Sequence, residues 1–365
     1  MNHVANTFQK PASMRHPTPA PEADHRRATT FPFSAIVGQE EMKHGILLTA
    51  VDPSIGGVLV LGDRGTGKST AVRGLADLLP EIEQIADCPY HCAPNSHAGK
   101  CPVCGNSNSS ATVSAPVPIV DLPLGATEDR IVGALNLERA LVDGERVFEP
   151  GLLAAANRGF LYIDEINLLD DHLVDLLLDA AASGENVVER EGLSIRHPSK
   201  FVLVGSGNPE EGDLRPQLLD RFGLSVEIKT PTDIETRIEV VRRRDAYERD
   251  PIAFANKWHS ENCRIRDDIL LARERLHEIE LPRELLAKAA ELCLTLGTDG
   301  LRGEMAIIKA ARAAAALDGR RDVAISHLKL VAPSALRHRL RRDPLDETGT
   351  TARVERAMSE TLGTA

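Results

Sequence analysis

The chain has 365 residues, of which 42% are hydrophobic and 27% are charged, and its formal net charge is −11 at pH 7. This composition is typical of a globular chain long enough for two domains, and the acidic balance disfavours a nucleic-acid partner, because nucleic-acid-binding proteins usually carry a basic face. The sequence contains neither an apolar run of transmembrane length nor a hydrophobic signal segment, so we expect a cytoplasmic protein without membrane insertion.

In chain order, residues 1–29 are rich in Pro, Thr, Ala and His, and we expect a disordered tail there. From residue 30 to residue 230, short apolar runs alternate with amphipathic segments. The stretches GGVLVLG, GFLYIDE and KFVLVGSGN predict buried strands. Apolar strands that alternate with helices indicate an α/β fold, with a parallel sheet covered by helices on both faces.

Two insertions are expected within this α/β domain. One begins at DLPLGATED, before the second predicted strand, and the stretch GENVVEREGLSIRHPSK predicts a β-hairpin before the third. Beyond residue 230 the apolar residues follow helical spacing. We therefore expect a helical linker at 231–265, a smaller all-helical domain at 266–345 and a flexible tail at 346–365.

The stretch GDRGTGKST fits the phosphate-loop pattern G-x-x-x-x-G-K-[ST]. It follows the apolar run VLVL and opens an amphipathic helix, which is the context that such a loop requires. Its backbone N–H groups are expected to surround nucleotide phosphates, with Lys68 at the β- and γ-phosphates and Ser69 on Mg²⁺. The expected nucleotide contacts are the loop residues Gly62, Asp63, Arg64, Gly65, Thr66, Gly67, Lys68, Ser69 and Thr70.

Polar residues follow the second and third predicted strands. Asp164 and Glu165 end the run FLYI, and we expect Asp164 to hold Mg²⁺ and Glu165 to polarise the attacking water. Asn208 follows the run VLVGSG and is expected to orient the same water. Taken alone, Asn208 would be interpreted as a turn residue before a proline.

The order of phosphate loop, IDE, Asn208, LLDRFG and a helical region bearing GLRGE resembles the AAA+ ATPases. The two predicted insertions resemble the clade that has one insert in the second helix and another before the third strand. Within this clade, FPFSAIVGQEEMKHGILLTAVDPSIGGVLVLGDRGTGKST and GFLYIDEINLLDDHLVDLLLDAA are similar to the family of magnesium chelatase ATPase I subunits. The resemblance covers about residues 31–342.

The resemblance assigns further residues to the ATP site. Val37 and Gly38 match the adenine end, Arg221 in LLDRFG matches the arginine finger that reaches the ATP of a neighbouring subunit, and Arg302 in GLRGE matches the second sensor. Arginine suits both roles because its fixed charge and planar fork neutralise charge on the γ-phosphate. A finger supplied by a neighbour implies a homo-oligomeric ring, which is a hexamer by family analogy.

The resemblance also implies a function and partners. In this family, ATP hydrolysis by the ring drives Mg²⁺ insertion into protoporphyrin IX during bacteriochlorophyll or chlorophyll biosynthesis; an H-type subunit holds the porphyrin, and a D-type subunit bridges it to the ring. The low aromatic content of this chain, 3%, fits a motor that does not itself bind porphyrin. Two alternatives are a MoxR-like ATPase that remodels another metalloprotein and a ring helicase resembling the MCM family, which the acidic balance disfavours.

Four of the six cysteines cluster in DCPYHCAPNSHAGKCPVC. The residues Cys88, Cys92, Cys101 and Cys104 have the pattern C-x3-C-x8-C-x2-C, which could close a tetrahedral structural zinc site. A redox-responsive pair and unligated cysteines in a surface insertion also fit this spacing. A disulfide framework is not expected in a cytosolic chain of this size.

Overall fold

A computed structural model describes residues 30–63, 65–94, 101–105, 111–136, 142, 147–190, 193–208, 210, 212, 214–340 and 349–363. The tail expected at 1–29 lies outside these residues. The central strands are β1 (Val58–Gly62), β4 (Ile119–Leu122), β7 (Phe160–Ile163), β10 (Val202–Gly207) and β11 (Leu224–Ile228). They form a parallel five-stranded sheet in the order β11-β1-β10-β7-β4, which confirms the predicted fold class.

The central strands are apolar because helices cover both faces of the sheet. Side chains alternate between the faces, so that Val58 and Val60 belong to one hydrophobic core and Leu59 to the other. Strands β1, β7 and β10 are those that the sequence predicts. Sequence analysis placed Asp121 and Leu122 of strand β4 in an insertion. The strand escaped prediction because the exposed Asp121 interrupts its apolar run.

Helices flank the sheet and build the carboxy-terminal region. Those of the sheet domain are α1 (Glu40–Val51), α2 (Lys68–Leu78), α3 (Glu128–Val132), α4 (Leu152–Ala155), α5 (Asp171–Ser183) and α6 (Pro216–Leu219). Those that follow are α7 (Ile234–Arg249), α8 (Pro251–Arg275), α9 (Arg283–Leu296), α10 (Arg302–Leu317), α11 (Ile325–Leu336) and α12 (Thr350–Thr361). Within the described ranges, we find no helix with the length and apolar character needed to cross a membrane.

Three antiparallel strand pairs extend from the sheet domain. They are β2 (Ile82–Ile85) with β3 (Thr112–Ala115), β5 (Gly133–Leu135) with β6 (Phe148–Pro150), and β8 (Glu185–Arg190) with β9 (Leu193–Pro198). The pair β8–β9 is the hairpin that the sequence predicts immediately before β10. The pair β2–β3 flanks the cysteine cluster.

The carboxy-terminal region differs from expectation at two points. Helix α8 continues unbroken to Arg275, past the boundary expected at 265. The flexible tail expected at 346–365 is instead a helix over Thr350–Thr361, which packs against α9 and α11. Val354 and Ala357 are buried there because their three-residue spacing places both on one face of the helix.

Basic side chains join the helical region to the sheet domain. Arg273 donates to the carbonyl oxygen of Ala50 at 2.8 Å, and Lys309 donates to that of Ser54 at 2.6 Å. The buried Arg339 donates to the carbonyl oxygen of Phe222 at 2.7 Å. Burial lowers the pKa of Arg339 to about 10, so this guanidinium remains charged at neutral pH.

Helix α10 offers a matched test of this packing. Ile307 is fully buried, whereas Met305 on the same helix is 51% exposed. We expect Ile307→Ala to lower the free energy of unfolding by about 2–5 kcal/mol, because it leaves a cavity. Met305→Ala should change it by less than about 0.5 kcal/mol. Urea unfolding followed by circular dichroism measures both, and equal losses would contradict the observed orientation of the helix.

Candidate nucleotide-binding site

The phosphate loop joins β1 to α2, and its backbone borders an open space. Gly65 and Gly67 have φ values of 74° and 83°, and a Cβ built at either residue meets no atom within 4 Å. At Gly62, by contrast, a Cβ would lie 2.1 Å from the carbonyl oxygen of Ile228. Glycine therefore permits both the turn of the loop and its close approach to β11. Arg64 lies outside the described residues.

Lys68 is buried between the ends of two strands. Its ammonium group donates to the carbonyl oxygen of Gly62 at 2.7 Å and to that of Gly207 at 3.2 Å. These carbonyl groups end β1 and β10. Ser69 and Thr70, both half-buried, follow Lys68 in the first turn of α2, where unpaired N–H groups and the helix dipole favour an anion.

Asp63 ties the loop to the end of β11. Its Oδ2 accepts hydrogen bonds from the hydroxyl of Thr230 at 2.7 Å and from the N–H of Thr230 at 3.2 Å. These bonds lower the pKa of the Asp63 carboxyl group. The side chain of Asp63 thus fixes the position of the loop, although sequence analysis placed the residue among the nucleotide contacts.

The carboxylate of Asp164 is held by two hydroxyl groups. Its Oδ1 accepts hydrogen bonds from Ser206 at 2.6 Å and from Tyr162 at 2.9 Å. Burial raises the pKa of the Tyr162 phenol, which keeps this residue a donor at neutral pH. Sequence analysis did not identify Ser206 or Tyr162 as partners of Asp164. The sequence signal that could have indicated them is a hydroxyl group within an otherwise apolar strand, β10 for Ser206 and β7 for Tyr162.

Glu165 adopts a left-handed backbone with φ of 51°, which is unfavourable for a residue with a side chain and recurs at functional sites. Its N–H donates to the hydroxyl oxygen of Ser206 at 3.3 Å. The buried Oε2 of Glu165 has no hydrogen-bond partner among the described residues. This carboxylate oxygen therefore has an unused hydrogen-bond acceptor position within the site.

Asn208 lies at the same edge of the sheet. It is 6% exposed, and its Oδ1 accepts a hydrogen bond from the N–H of Glu210 at 3.1 Å. Asn208 lines a cavity of about 340 Å³ together with Gly62 and Asn167. The structure thus brings together the ends of β1, β7 and β10. These ends carry the phosphate loop, the Asp164–Glu165 pair and Asn208, which the sequence predicts to lie close together.

A second cavity, of about 500 Å³, lies beside the phosphate loop. Val37 lines it, next to Gly38, which has a φ of 65°, and Gln39, which donates to the carbonyl oxygen of Thr66. The opposite wall comes from α7 and includes Arg237, Arg243, Arg244, Val240 and Val241. Sequence analysis did not assign these arginines to the site, because spacing alone does not show that α7 folds back onto the loop.

The two arginines assigned from the family form ion pairs within the chain. Arg221 pairs with Asp179 and Asp175 of α5, and Arg302, the first residue of α10, pairs with Asp220 at 2.6 Å. Over the described ranges, neither guanidinium has a recorded hydrogen bond to the phosphate loop. Both are partly exposed, so these pairs contribute little to stability.

The four clustered cysteines form a group of their own. Cys88, Cys92, Cys101 and Cys104 are all buried, and their sulfur atoms lie within 4.8 Å of one another.

The strand order, the phosphate loop after β1, the acidic pair after β7 and the helical carboxy-terminal region define a P-loop ATPase of the AAA+ class. The family model described as "Magnesium chelatase, subunit ChlI" matches residues 135–218, and that of the AAA lid domain matches residues 286–358.

Comparison with known proteins identifies the family within this class. It is 65% identical to the magnesium-chelatase 38 kDa subunit of Rhodobacter capsulatus over 91% of this chain and 94% of that protein. It is 61% identical to a chain in a structure of the complex between subunits BchI and BchD of magnesium chelatase, with a TM-score of 0.52 over 87% of this chain and 98% of that one. A Cytophaga hutchinsonii protein shares the fold at 17% identity, with a TM-score of 0.62 over 89% of this chain and 91% of that one. The chain belongs to the family of magnesium chelatase ATPase I subunits.

Substitution of Glu165, whose Oε2 has no hydrogen-bond partner among the described residues, tests the site directly. We expect Glu165→Gln to lower the ATPase rate about 10²–10⁴-fold, because a neutral amide cannot accept the proton of the attacking water. Binding of a fluorescent ATP analogue should be retained, because the phosphate loop is unchanged. The matched control is Glu291→Gln, an exposed residue of α9. Equal ATPase rates for both variants and the wild type would exclude Glu165 as the base.

Proposed function

We propose that this chain is the ATPase motor of a magnesium chelatase. ATP hydrolysis in a ring of these chains would drive the insertion of Mg²⁺, the substrate metal, into protoporphyrin IX held by a partner subunit. The observation that carries the proposal is that three features meet at one edge of the sheet. They are the glycine-containing phosphate loop, Asp164 with its hydrogen bond from Ser206, and the Oε2 atom of Glu165, which has no hydrogen-bond partner among the described residues. Family membership supplies the chelatase reaction.

The residues present fit MgATP, which supplies the phosphoryl group that is hydrolysed. Lys68 would neutralise phosphate charge, and Ser69 with Asp164 would hold the magnesium ion of MgATP. Glu165 accepts the proton of the attacking water, and Asn208 orients that water. The hydrogen bonds from Ser206 and Tyr162 fix Asp164 beforehand, so the carboxylate requires little reorganisation at the moment of reaction.

We propose that Arg221 completes the site of a neighbouring chain. Its partners here, Asp179 and Asp175, belong to α5 rather than to the phosphate loop. Arg302, paired with Asp220, would serve as the second sensor. A site completed by a neighbour requires head-to-tail contacts, which close into a ring, and we propose a hexamer.

We further propose that a D-type subunit bridges this ring to an H-type subunit that binds the porphyrin. The relative seen in complex with BchD supports the first contact. We propose the cytoplasm as the location, because a reducing compartment would keep the six cysteines available as thiols or metal ligands.

Mixing two inactive variants tests whether Arg221 acts in trans. Arg221→Ala lacks the finger and Glu165→Gln lacks the base, so each alone should lose at least about 10²-fold in ATPase rate. Mixed rings contain interfaces with an intact base and an intact finger, and random mixing should recover about a quarter of the wild-type rate. A phosphate-release assay measures this recovery.

The control for this experiment mixes Arg221→Ala with the double variant Glu165→Gln/Arg221→Ala, which leaves no finger in any ring. Its rate should stay at the background level. Equal rates in both mixtures would contradict the action of Arg221 on a neighbouring site.

The chelatase function is tested by reconstitution. We expect Mg-protoporphyrin fluorescence to appear from protoporphyrin IX, Mg²⁺ and ATP when purified D- and H-type subunits are combined with this chain. Omitting the chain, or replacing it with Lys68→Ala, should abolish the product. If partners of proven activity gave no product while the ATPase activity of the chain remained intact, a MoxR-like remodelling function would be favoured instead.

A further inference from the structure

Two of the separations between the cysteine sulfur atoms match the edge of a metal tetrahedron. The Sγ atom of Cys88 lies 3.8 Å from that of Cys101 and 3.7 Å from that of Cys104. A zinc ion with Zn–S bonds of about 2.3 Å places its ligands about 3.8 Å apart along each edge of the tetrahedron. A disulfide bond would require about 2.05 Å, so these pairs are too far apart to be bonded to each other.

Two tight turns carry the four thiols, one over residues 101–105 and one over residues 88–92. In the segment CPVCG, the N–H of Cys104 donates to the Sγ atom of Cys101 at 3.5 Å, and the N–H of Gly105 donates to the carbonyl oxygen of Cys101 at 3.0 Å. A Cβ at Gly105 would lie 2.5 Å from that same oxygen, so the turn requires glycine. An N–H group aimed at sulfur stabilises a thiolate, which is the form that binds metal.

The other turn is CPYHC, over residues 88–92. The N–H of His91 donates to the carbonyl oxygen of Cys88 at 3.1 Å, and His91 has a φ of 46°, which reverses the chain. The N–H of Ile85 donates to the carbonyl oxygen of Cys92 at 2.9 Å and closes the turn onto β2. The backbone thus holds Cys88 and Cys92 independently of their side chains.

We propose that Cys88, Cys92, Cys101 and Cys104 bind one structural zinc ion. All four thiols are buried and supply the closed set of sulfur ligands that structural zinc prefers. The guanidinium of Arg158 lies beside the cluster and balances part of the negative charge of four thiolates. It donates to the carbonyl oxygens of Glu83 at 2.7 Å and of His91 at 3.2 Å.

The zinc site would also anchor the β8–β9 hairpin. Tyr90, which lies between Cys88 and Cys92, packs against His197 of β9 in a tilted arrangement with ring centroids 4.7 Å apart. Asn157 donates to the carbonyl oxygen of Tyr90 at 2.6 Å and accepts from the N–H of Lys200, just beyond β9, at 2.8 Å. Through these contacts, the metal-held turns fix the base of the hairpin that leads into β10 and Asn208.

The test is metal analysis of the purified full chain, in reducing buffer that contains no chelator. We expect about one zinc per chain by mass spectrometry of the metal content. After zinc is removed with a chelator, added Co²⁺ should give the visible absorption of a tetrahedral thiolate site. The Co²⁺ spectrum needs no substitution and so remains valid if variants fold poorly.

The variant Cys101→Ser/Cys104→Ser should lose the zinc, whereas Cys263→Ser/Cys293→Ser, which removes the two cysteines outside the cluster, should retain it. A chain with four reactive thiols and no metal, a disulfide within the cluster, or an iron content that matches the chain would overturn the zinc proposal. Hydrogen exchange should show faster exchange in β8–β9 after zinc removal. Unchanged exchange there would overturn the anchoring role alone.

Discussion

The nucleotide site depends on the register of three parallel strands. Strands β1, β10 and β7 pair so that Leu61 lies beside Gly207, and Gly205 lies beside Ile163. Their carboxyl ends therefore meet at one edge, and the residues that follow them converge there. Lys68 reaches the carbonyl group of Gly207 across 139 positions of sequence for this reason. A shift of one strand by one residue would turn its polar terminus to the other face of the sheet.

The elements around this edge differ in how firmly they are held. Asp63 accepts hydrogen bonds from Thr230, and Asp164 accepts one from Ser206, so the phosphate loop and the carboxylate after β7 both have fixed partners. The larger cavity is closed on one side by α7, which leads through α8 into the carboxy-terminal helices. A nucleotide in this cavity would therefore contact both the sheet domain and the start of the helical region.

The two arginines that the family resemblance assigns to the ATP site pair with carboxylates of this chain. Arg221 and Arg302 have carboxylate partners that neutralise their charge within this chain. Such partly exposed ion pairs contribute about 0–1 kcal/mol, so exchanging a carboxylate for a phosphate costs little. The basic residues that join the two regions are different, because the side chain of Arg339 is shielded from solvent and donates to the backbone carbonyl oxygen of Phe222.

The sequence by itself determined the α/β class, strands β1, β7 and β10, the β8–β9 hairpin and the phosphate loop, because each depends on local apolar pattern or on glycine at fixed spacing. It did not determine β4, helix α12, the support of Asp164 by Ser206, or the place of Arg237 beside the loop. It also did not determine that the sulfur atoms of Cys88, Cys92, Cys101 and Cys104 lie within 4.8 Å of one another. Only the tertiary structure decided these points, because each depends on which distant segments pack together, and local patterns do not encode such contacts.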